Sequence, residues 1–407
     1  MKECETLVQS KVAKKKSDMT FKEFISRVTK QPRMDPVFLI AAMLLLIIGL
    51  VMLFSASFAA SLFKTGNSYT YILKQIQMAV VGVVAMMIVS FVPFSIFKIP
   101  LFNQLFYWSS VALLIAVLIL PSNDAQKRWI YIAGIQFQPS ELAKLAVIIM
   151  LAWYLSKVGQ YVRKPTDNFL KYHAKSFGQN VLVPGLIFGL CAGLVLIETH
   201  LSGGMLIALV GCIMLVACGN AKTSHLLPIF IAVLVAGVIL IFATDYMQAR
   251  IEMFIDPASD PTGDGFQILQ SLYAIGSGGT FGLGFGKSRQ KYLYLPEPQN
   301  DFIFSVVCEE IGFIGAAFIV ILFAILIWRG IYIAMNAPDK FSSLLVLGII
   351  SRIAVQVLFN LAVISKLIPV TGISLPFFSY GGTALAVLLV EIGIVLQVSR
   401  YSYLKKD

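Results

Sequence analysis

The sequence predicts an all-α, polytopic membrane protein: ten transmembrane helices, with a long external loop between the seventh and eighth. Three observations carry this. Of 407 residues, 58% are Ala, Val, Ile, Leu, Met, Phe, Trp, Tyr or Cys and only 13% are charged, against roughly 25% charged in soluble domains. Mean hydropathy is +0.83. Apolar runs also recur at close to the roughly 20 residues that cross a bilayer. This composition excludes a disordered chain, a disulfide scaffold and an ordinary cytosolic enzyme. The cysteines form no C-x-x-C pair and the histidines no zinc-binding spacing, so neither a disulfide framework nor a zinc cluster is expected.

Residues 1–36 read as a basic tail without the short apolar run and small-residue site of a signal peptide. Val37 to Phe63, Ile76 to Phe97 and Leu105 to Leu120 are continuous apolar runs. Leu142 to Val158 follows Pro139, and Val181 to Ile197 precedes Met205 to Gly219, which starts just after Gly203. Leu226 to Thr244, Phe302 to Trp328 and Leu344 to Ile364 come next, then Phe377 to Val398 behind Pro376. The shorter runs qualify because helices inside a bundle need not each cross the whole bilayer. The membrane domain is thus 37–398, and 399–407 a short tail.

Ten spans leave both termini on one side. With the termini cytoplasmic, the cytoplasmic segments hold about twice as many Lys and Arg as the opposite side, as the positive-inside rule asks. Insertion therefore accounts for most of the net charge of +11, and Lys14, Lys15 and Lys16 need anionic lipid, not nucleic acid, as partner. The segment 245–300 becomes external. It far exceeds the usual connection of about 2–8 residues; its apolar stretch Phe266 to Ile275 and glycine-rich run from Gly276 to Gly286 read as a partly ordered re-entrant or surface element, the run acting first as a flexible hinge and second as a substrate gate. A phosphate loop is rejected, because Phe281 stands where its first glycine belongs and no strand precedes it.

This orientation gathers polar chemistry at one level. Glu141 and Lys144 share a face of the fourth helix at i, i+3 spacing. Glu198 ends the fifth, Asp301 opens the eighth, Lys366 follows the ninth, and Ser379 and Tyr380 begin the tenth, with Lys127 and Arg128 in the loop before the fourth. Singly, each could cap a helix or snorkel. Their convergence in a chain that avoids charge points to a functional site. Deeper, Glu309 and Glu310 lie roughly 12 Å below Asp301 at 1.5 Å per residue. Arg352 falls at a similar depth, so one glutamate is expected to pair with it and the other to face a polar cavity. Glu391 lies deeper still, its partner not evident.

The motifs Arg128-Trp129-Ile130, Gln138-Pro139-Ser140-Glu141-Leu142-Ala143-Lys144, Gln270 to Gly279, Leu295-Pro296-Glu297 with Asp301-Phe302-Ile303-Phe304, Glu309-Glu310-Ile311-Gly312 and Leu375 to Gly382 resemble the SEDS family across Val37 to Val398. The resemblance implies a peptidoglycan glycosyltransferase that polymerises lipid II at the outer face of the bacterial cytoplasmic membrane. The run Ser288-Arg289-Gln290-Lys291 resembles the FtsW branch, which acts at the division septum; the RodA branch acts in elongation, and a sporulation paralogue shares much of the pattern. The implied partners are lipid II, a class B penicillin-binding protein transpeptidase and divisome proteins. One departure is Glu198-Thr199-His200-Leu201-Ser202-Gly203-Gly204, since FtsW-like chains often carry a Pro-Asp-Leu-Gly version of the segment after that glutamate, so an acid's role there is unsupported.

The chemistry agrees with this resemblance. A β-1,4 bond formed from an α-linked pyrophosphate inverts the anomeric centre and needs one general base, while the leaving pyrophosphate needs cations rather than a second carboxyl. The family's catalytic aspartate corresponds to Asp301. Arg128, Lys144 and Lys366 are candidates for the pyrophosphate, with Glu141 orienting Lys144, and Ser379 and Tyr380 join them as substrate-binding residues. No organic cofactor is expected, and a divalent cation, Mg or Mn, would serve beside the basic side chains. Two other classes stay open: a lipid II flippase, which would carry polar residues through its whole depth, and a scaffold that recruits a transpeptidase, which gives Asp301 no purpose.

Overall fold

The computed structural model describes residues 34–120, 128–132, 135–159, 174–198, 200–220, 248, 252–257, 264–292 and 294–402. In chain order these form α1 (Pro36–Thr65), α2 (Thr70–Phe91), a 3-10 turn (Phe94–Lys98), α3 (Pro100–Ile119), the hairpin β1 (Ile130–Ile132) and β2 (Ile135–Phe137), α4 (Pro139–Lys157), α5 (Ala174–Ile197), α6 (Leu201–Cys218), α7 (Asp264–Gly278), α8 (Ile303–Met335), α9 (Lys340–Ile364) and α10 (Gly382–Ser402). Among the described residues, all these helices except α7 are long and apolar enough to cross a membrane, nine in number. Residues 1–33 of the basic tail and the expected seventh span, Leu226 to Thr244, lie outside the described residues, while Pro36, expected in the tail, already belongs to α1.

Local chemistry sets the helix ends. Asp35 caps α1 by accepting from the Phe38 N–H (3.0 Å), Pro36 fits the first helical position, and Gly66 ends the helix in the left-handed conformation. Asp339 caps α9. Proline starts α3 and α4. Pro184, midway along α5, follows a π turn at Gly178–Leu182, an irregularity consistent with the donor that proline removes.

The core sits on α4, α9 and α10, which are 72%, 67% and 72% buried over their apolar windows. α9 packs against α4, α6 and α8, while α2 lies along α10. There the backbones meet closely: a Cβ on Gly393 would stand 2.6 Å from the Met86 carbonyl oxygen. Such contact through small residues drives helix association where lipid offers no hydrophobic gain. α1, α2 and α3 turn apolar side chains such as Ile47, Val80 and Trp108 outward, as lipid-facing helices do.

The segment 264–300 departs from the expected flexible hinge. α7 packs on α8, and the glycine-rich run after it docks on α8 through backbone bonds: Leu283 and Gly284 N–H donate to the Glu309 and Glu310 carbonyls (2.9 and 3.0 Å), and Phe313 N–H donates to Gly279 O (2.9 Å). α8 breaks at Gly312 (φ 68°, ψ −172°) to receive these bonds. Gly282 (φ 80°) permits the approach, because a Cβ there would lie 2.3 Å from the Glu310 carbonyl oxygen.

The far end of the bundle holds both the start of α1 and the end of α10. Asp35 N–H donates to Ser399 Oγ (3.1 Å), and Asp35 pairs with Arg329 (2.8 Å).

Candidate active site

A cavity of about 740 Å³ opens at the other end of the bundle, within the usual range of small-molecule sites. Among the described residues, five helix beginnings line it: Tyr71, Lys74 and Gln75 from α2, Gln138, Glu141 and Lys144 from α4, His200, Ser202 and Gly203 at α6, Asp301 before α8, and Gly381 and Gly382 at α10. Helix N-termini carry partial positive charge and unpaired N–H groups, so their convergence favours an anion. Lys64, Lys74, Arg128 and Lys144 add cationic side chains, and Glu297 and Asp301 carboxylates.

Asp301 lies in the turn before α8, which begins two residues later at Ile303. Its segment is tied down by consecutive carbonyls. Tyr380 N–H donates to Gln299 O (2.8 Å), Ser379 Oγ to Asn300 O (2.9 Å), and Asn360 Nδ2 to Asp301 O (2.7 Å). Asn360 Nδ2 also donates to Ile373 O (2.8 Å). The carboxylate faces Gly372, where an added Cβ would stand 3.4 Å from Oδ2. A side chain held at its backbone by α9 and the turn before α10 is preorganised to meet a substrate group.

Behind the cavity runs a buried chain of charges. Lys144 Nζ donates to Glu141 Oε1 (2.6 Å), Arg352 Nη1 reaches Glu141 Oε2 (3.5 Å), and Arg352 Nη2 donates to Glu391 Oε2. All four are nearly solvent-free, so each charge depends on its neighbour. Burial, with Lys144 and Arg128 nearby, pushes His200 down to about 3, keeping the imidazole neutral. Burial pushes Glu198 up to about 7 against the opposing pull of Arg128.

Of the sequence-predicted residues, the cavity brings together Arg128, Glu141, Lys144, Asp301 and Tyr380. Lys366 does not line it; it sits after α9 in a left-handed turn (φ 54°). Ser379 is buried, its Oγ donating to Asn300 O and accepting from Leu375 N–H (2.8 Å), so it braces the wall instead. The expected pairing of Glu309 or Glu310 with Arg352 does not occur. Glu309 accepts from Ser288 Oγ (2.5 Å) and Arg289 N–H (2.9 Å), while Glu310 accepts from Ser55 Oγ (2.6 Å) and Lys291 Nζ (2.8 Å). These two glutamates hold the loop; Arg352 instead answers Glu141 and Glu391. Sequence reasoning missed Lys64, Tyr71, Lys74, Gln299 and Gln356. The i, i+3, i+4, i+7 stripe Tyr71, Lys74, Gln75, Met78 was the available signal. Among the described residues, no three His, Cys, Asp or Glu are grouped to hold a metal ion.

A family model for a cell cycle protein, FTSW_RODA_SPOVE, matches residues 35–404. Stage V sporulation protein E of Bacillus subtilis (strain 168) is 39% identical, over 92% of this chain and 99% of the relative. A probable peptidoglycan glycosyltransferase FtsW of Geobacter sp. (strain M18) is 35% identical, over 90% of this chain and 96% of the relative. Among solved structures, a chain from "Structural coordination of polymerization and crosslinking by a peptidoglycan synthase complex" superposes with a TM-score of 0.71 at 27% identity, over 91% of this chain and 98% of that one. Thermus thermophilus RodA shares the fold, with a TM-score of 0.64 at 24% identity over 91% and 98%. The chain belongs to the FtsW/RodA/SpoVE family of multi-pass membrane proteins.

Proposed function

On the premise of that membership, we propose that the chain is a peptidoglycan glycosyltransferase that polymerises lipid II, with the cavity end facing outward, both termini cytoplasmic and its place at the division septum. The observation that carries the reading is the cavity itself: one backbone-anchored carboxylate, Asp301, shares it with Arg128 and Lys144 where helix N-termini converge. Asp301 takes the proton of the accepting sugar's 4-hydroxyl as that oxygen attacks the anomeric carbon. The bond to the pyrophosphate breaks, its electron pair leaves with the pyrophosphate, and Arg128 and Lys144 offset the charge that develops. Glu141 holds Lys144 at 2.6 Å. Lys64 and Lys74 enlarge this cationic set, and Tyr380 lies at the sugar end, its ring 4.9 Å from that of Tyr71. A divalent cation, Mg or Mn, belongs to the proposal as a companion of the pyrophosphate; chelation during turnover measures its share. A class B penicillin-binding protein and divisome proteins are the proposed partners. Relatives named FtsW and a structural neighbour described as a peptidoglycan synthase complex support them.

The test is glycan-chain formation from lipid II by Asp301→Asn, purified with its transpeptidase partner. Asn is nearly isosteric and caps helices well, so a structural role predicts near-normal polymerisation. Loss of a general base predicts a drop of roughly 10² to 10⁴. Polymerisation within a few fold of the parent would transfer the assignment to Glu141.

A further inference from the structure

Gln299 occupies an unusual position. It lies two residues before Asp301, lines the same cavity, and is 3% exposed. Its backbone carbonyl is engaged by the Tyr380 N–H at 2.8 Å, yet its side-chain Oε1 has no hydrogen-bond partner among the described residues. A buried amide oxygen without a donor is costly, and most such groups in folded proteins are satisfied. The neighbouring side chain is used differently: Asn300 Nδ2 donates to Glu297 Oε2 at 2.6 Å, bracing the loop. Gln299 therefore has a fixed backbone and, beside a substrate-sized cavity, a side-chain oxygen that meets neither a donor nor solvent among the described residues.

We infer that Gln299 recognises the 2-acetamido group of the accepting sugar and thereby sets the specificity of the site. The inference rests on the glycosyltransferase reading above and deepens it. An acetamido group presents one N–H donor and one carbonyl acceptor, and a primary amide presents the complementary pair. Gln299 and Asp301, two residues apart in this turn and both on the cavity wall, stand at most roughly 7 Å apart at the backbone, about the width of a pyranose ring. One segment can thus place Asp301 at the 4-hydroxyl and Gln299 at the substituent of carbon 2. The pinned carbonyls of residues 299, 300 and 301 keep that spacing constant. A site that hydrogen-bonds a substrate group also rejects an analogue lacking it, because its own buried polar atom is then left unpaired.

The experiment is a cycle between enzyme and substrate. The parent protein and Gln299→Met, which preserves volume and removes the amide, are each purified with the transpeptidase partner. Both are assayed on lipid II and on a 2-deoxy analogue in which hydrogen replaces the acetamido group of the accepting sugar. The parent is expected to use the analogue at least about tenfold less well in kcat/KM. Gln299→Met should lose about that factor on lipid II and nothing further on the analogue. Equal losses on both substrates would make Gln299 a brace for Asp301 and overturn the inference, as would the absence of any loss. If Gln299→Met does not fold, Gln299→Asn, whose amide is drawn back by one methylene, carries the same comparison. Failure of the parent to form glycan would refute the glycosyltransferase reading and this inference with it. Glycan from the parent with a flat cycle would remove only the role of Gln299.

Discussion

Lys291→Ala should damage the protein far more than loss of an ordinary lysine. Lys291 and Glu310 are 3% and 0% exposed and 2.8 Å apart, so solvent screening, which reduces surface pairs to about 0–1 kcal/mol, does not apply. At that distance and an effective dielectric near 20, their attraction is about 6 kcal/mol before the opposing cost of desolvation. Breaking buried pairs typically costs about 3–5 kcal/mol, because one charge stays behind unpaired. Glu310 would keep Ser55 Oγ at 2.6 Å and Ser288 N–H at 3.4 Å, which places the expected loss near the lower figure, about 3 kcal/mol. The assay is denaturant-titrated unfolding in mixed micelles, with limited proteolysis between residues 283 and 292 reporting release of the loop. Lys291→Met combined with Glu310→Gln removes the stranded charge and should recover most of the loss. The reasoning fails if Lys291→Ala stays within about 1 kcal/mol of the parent, or if the double variant is no better than the single one.

Glu198 predicts a pH effect. Its folded value of about 7 exceeds the ordinary 4.5 through burial, partly opposed by Arg128. The folded chain therefore holds this proton more tightly than the unfolded chain, so the contribution is complete below 4.5 and is lost as pH rises through about 7. Glu198→Gln should flatten stability across that window and exceed the parent above it; a parent profile already flat there would refute the shift. Lys144→Ala should lower kcat/KM for lipid II by about a hundredfold as a pyrophosphate donor is lost, while Lys366→Ala should stay within about twofold. Equal effects would erase the distinction between cavity-lining and peripheral cations.

The sequence made the spans legible because a bilayer fixes their length, and it placed Arg128, Glu141, Lys144, Asp301 and Tyr380 at one level because helical rise converts residue number into depth. Depth was not enough. Arg352 and Glu310 lie at comparable depths but have different partners, since which way a side chain points around its helix depends on packing partners that no single segment encodes. Lys366 follows α9 in a left-handed turn, so helical rise could not say where its side chain goes. Beginning the second span at Ile76 rather than Thr70 put Tyr71, Lys74 and Gln75 in a loop and hid their shared face. The Gly276 to Gly286 run looked flexible because glycine is permissive; here that permissiveness lets two backbones touch.

The gathering of helix beginnings around the cavity makes the site a matter of parity. Contributors on α2, α4 and α6, and again on α8 and α10, recur along the chain once per pair of crossings. Losing or duplicating α5 alone would send every later contributor to the opposite face of the membrane, separating Asp301 from Lys144 without altering either residue or its surroundings in sequence. Adding or removing a pair would leave them together. Rearrangement of this fold is therefore constrained to even steps, independent of any stabilising contact between the helices concerned.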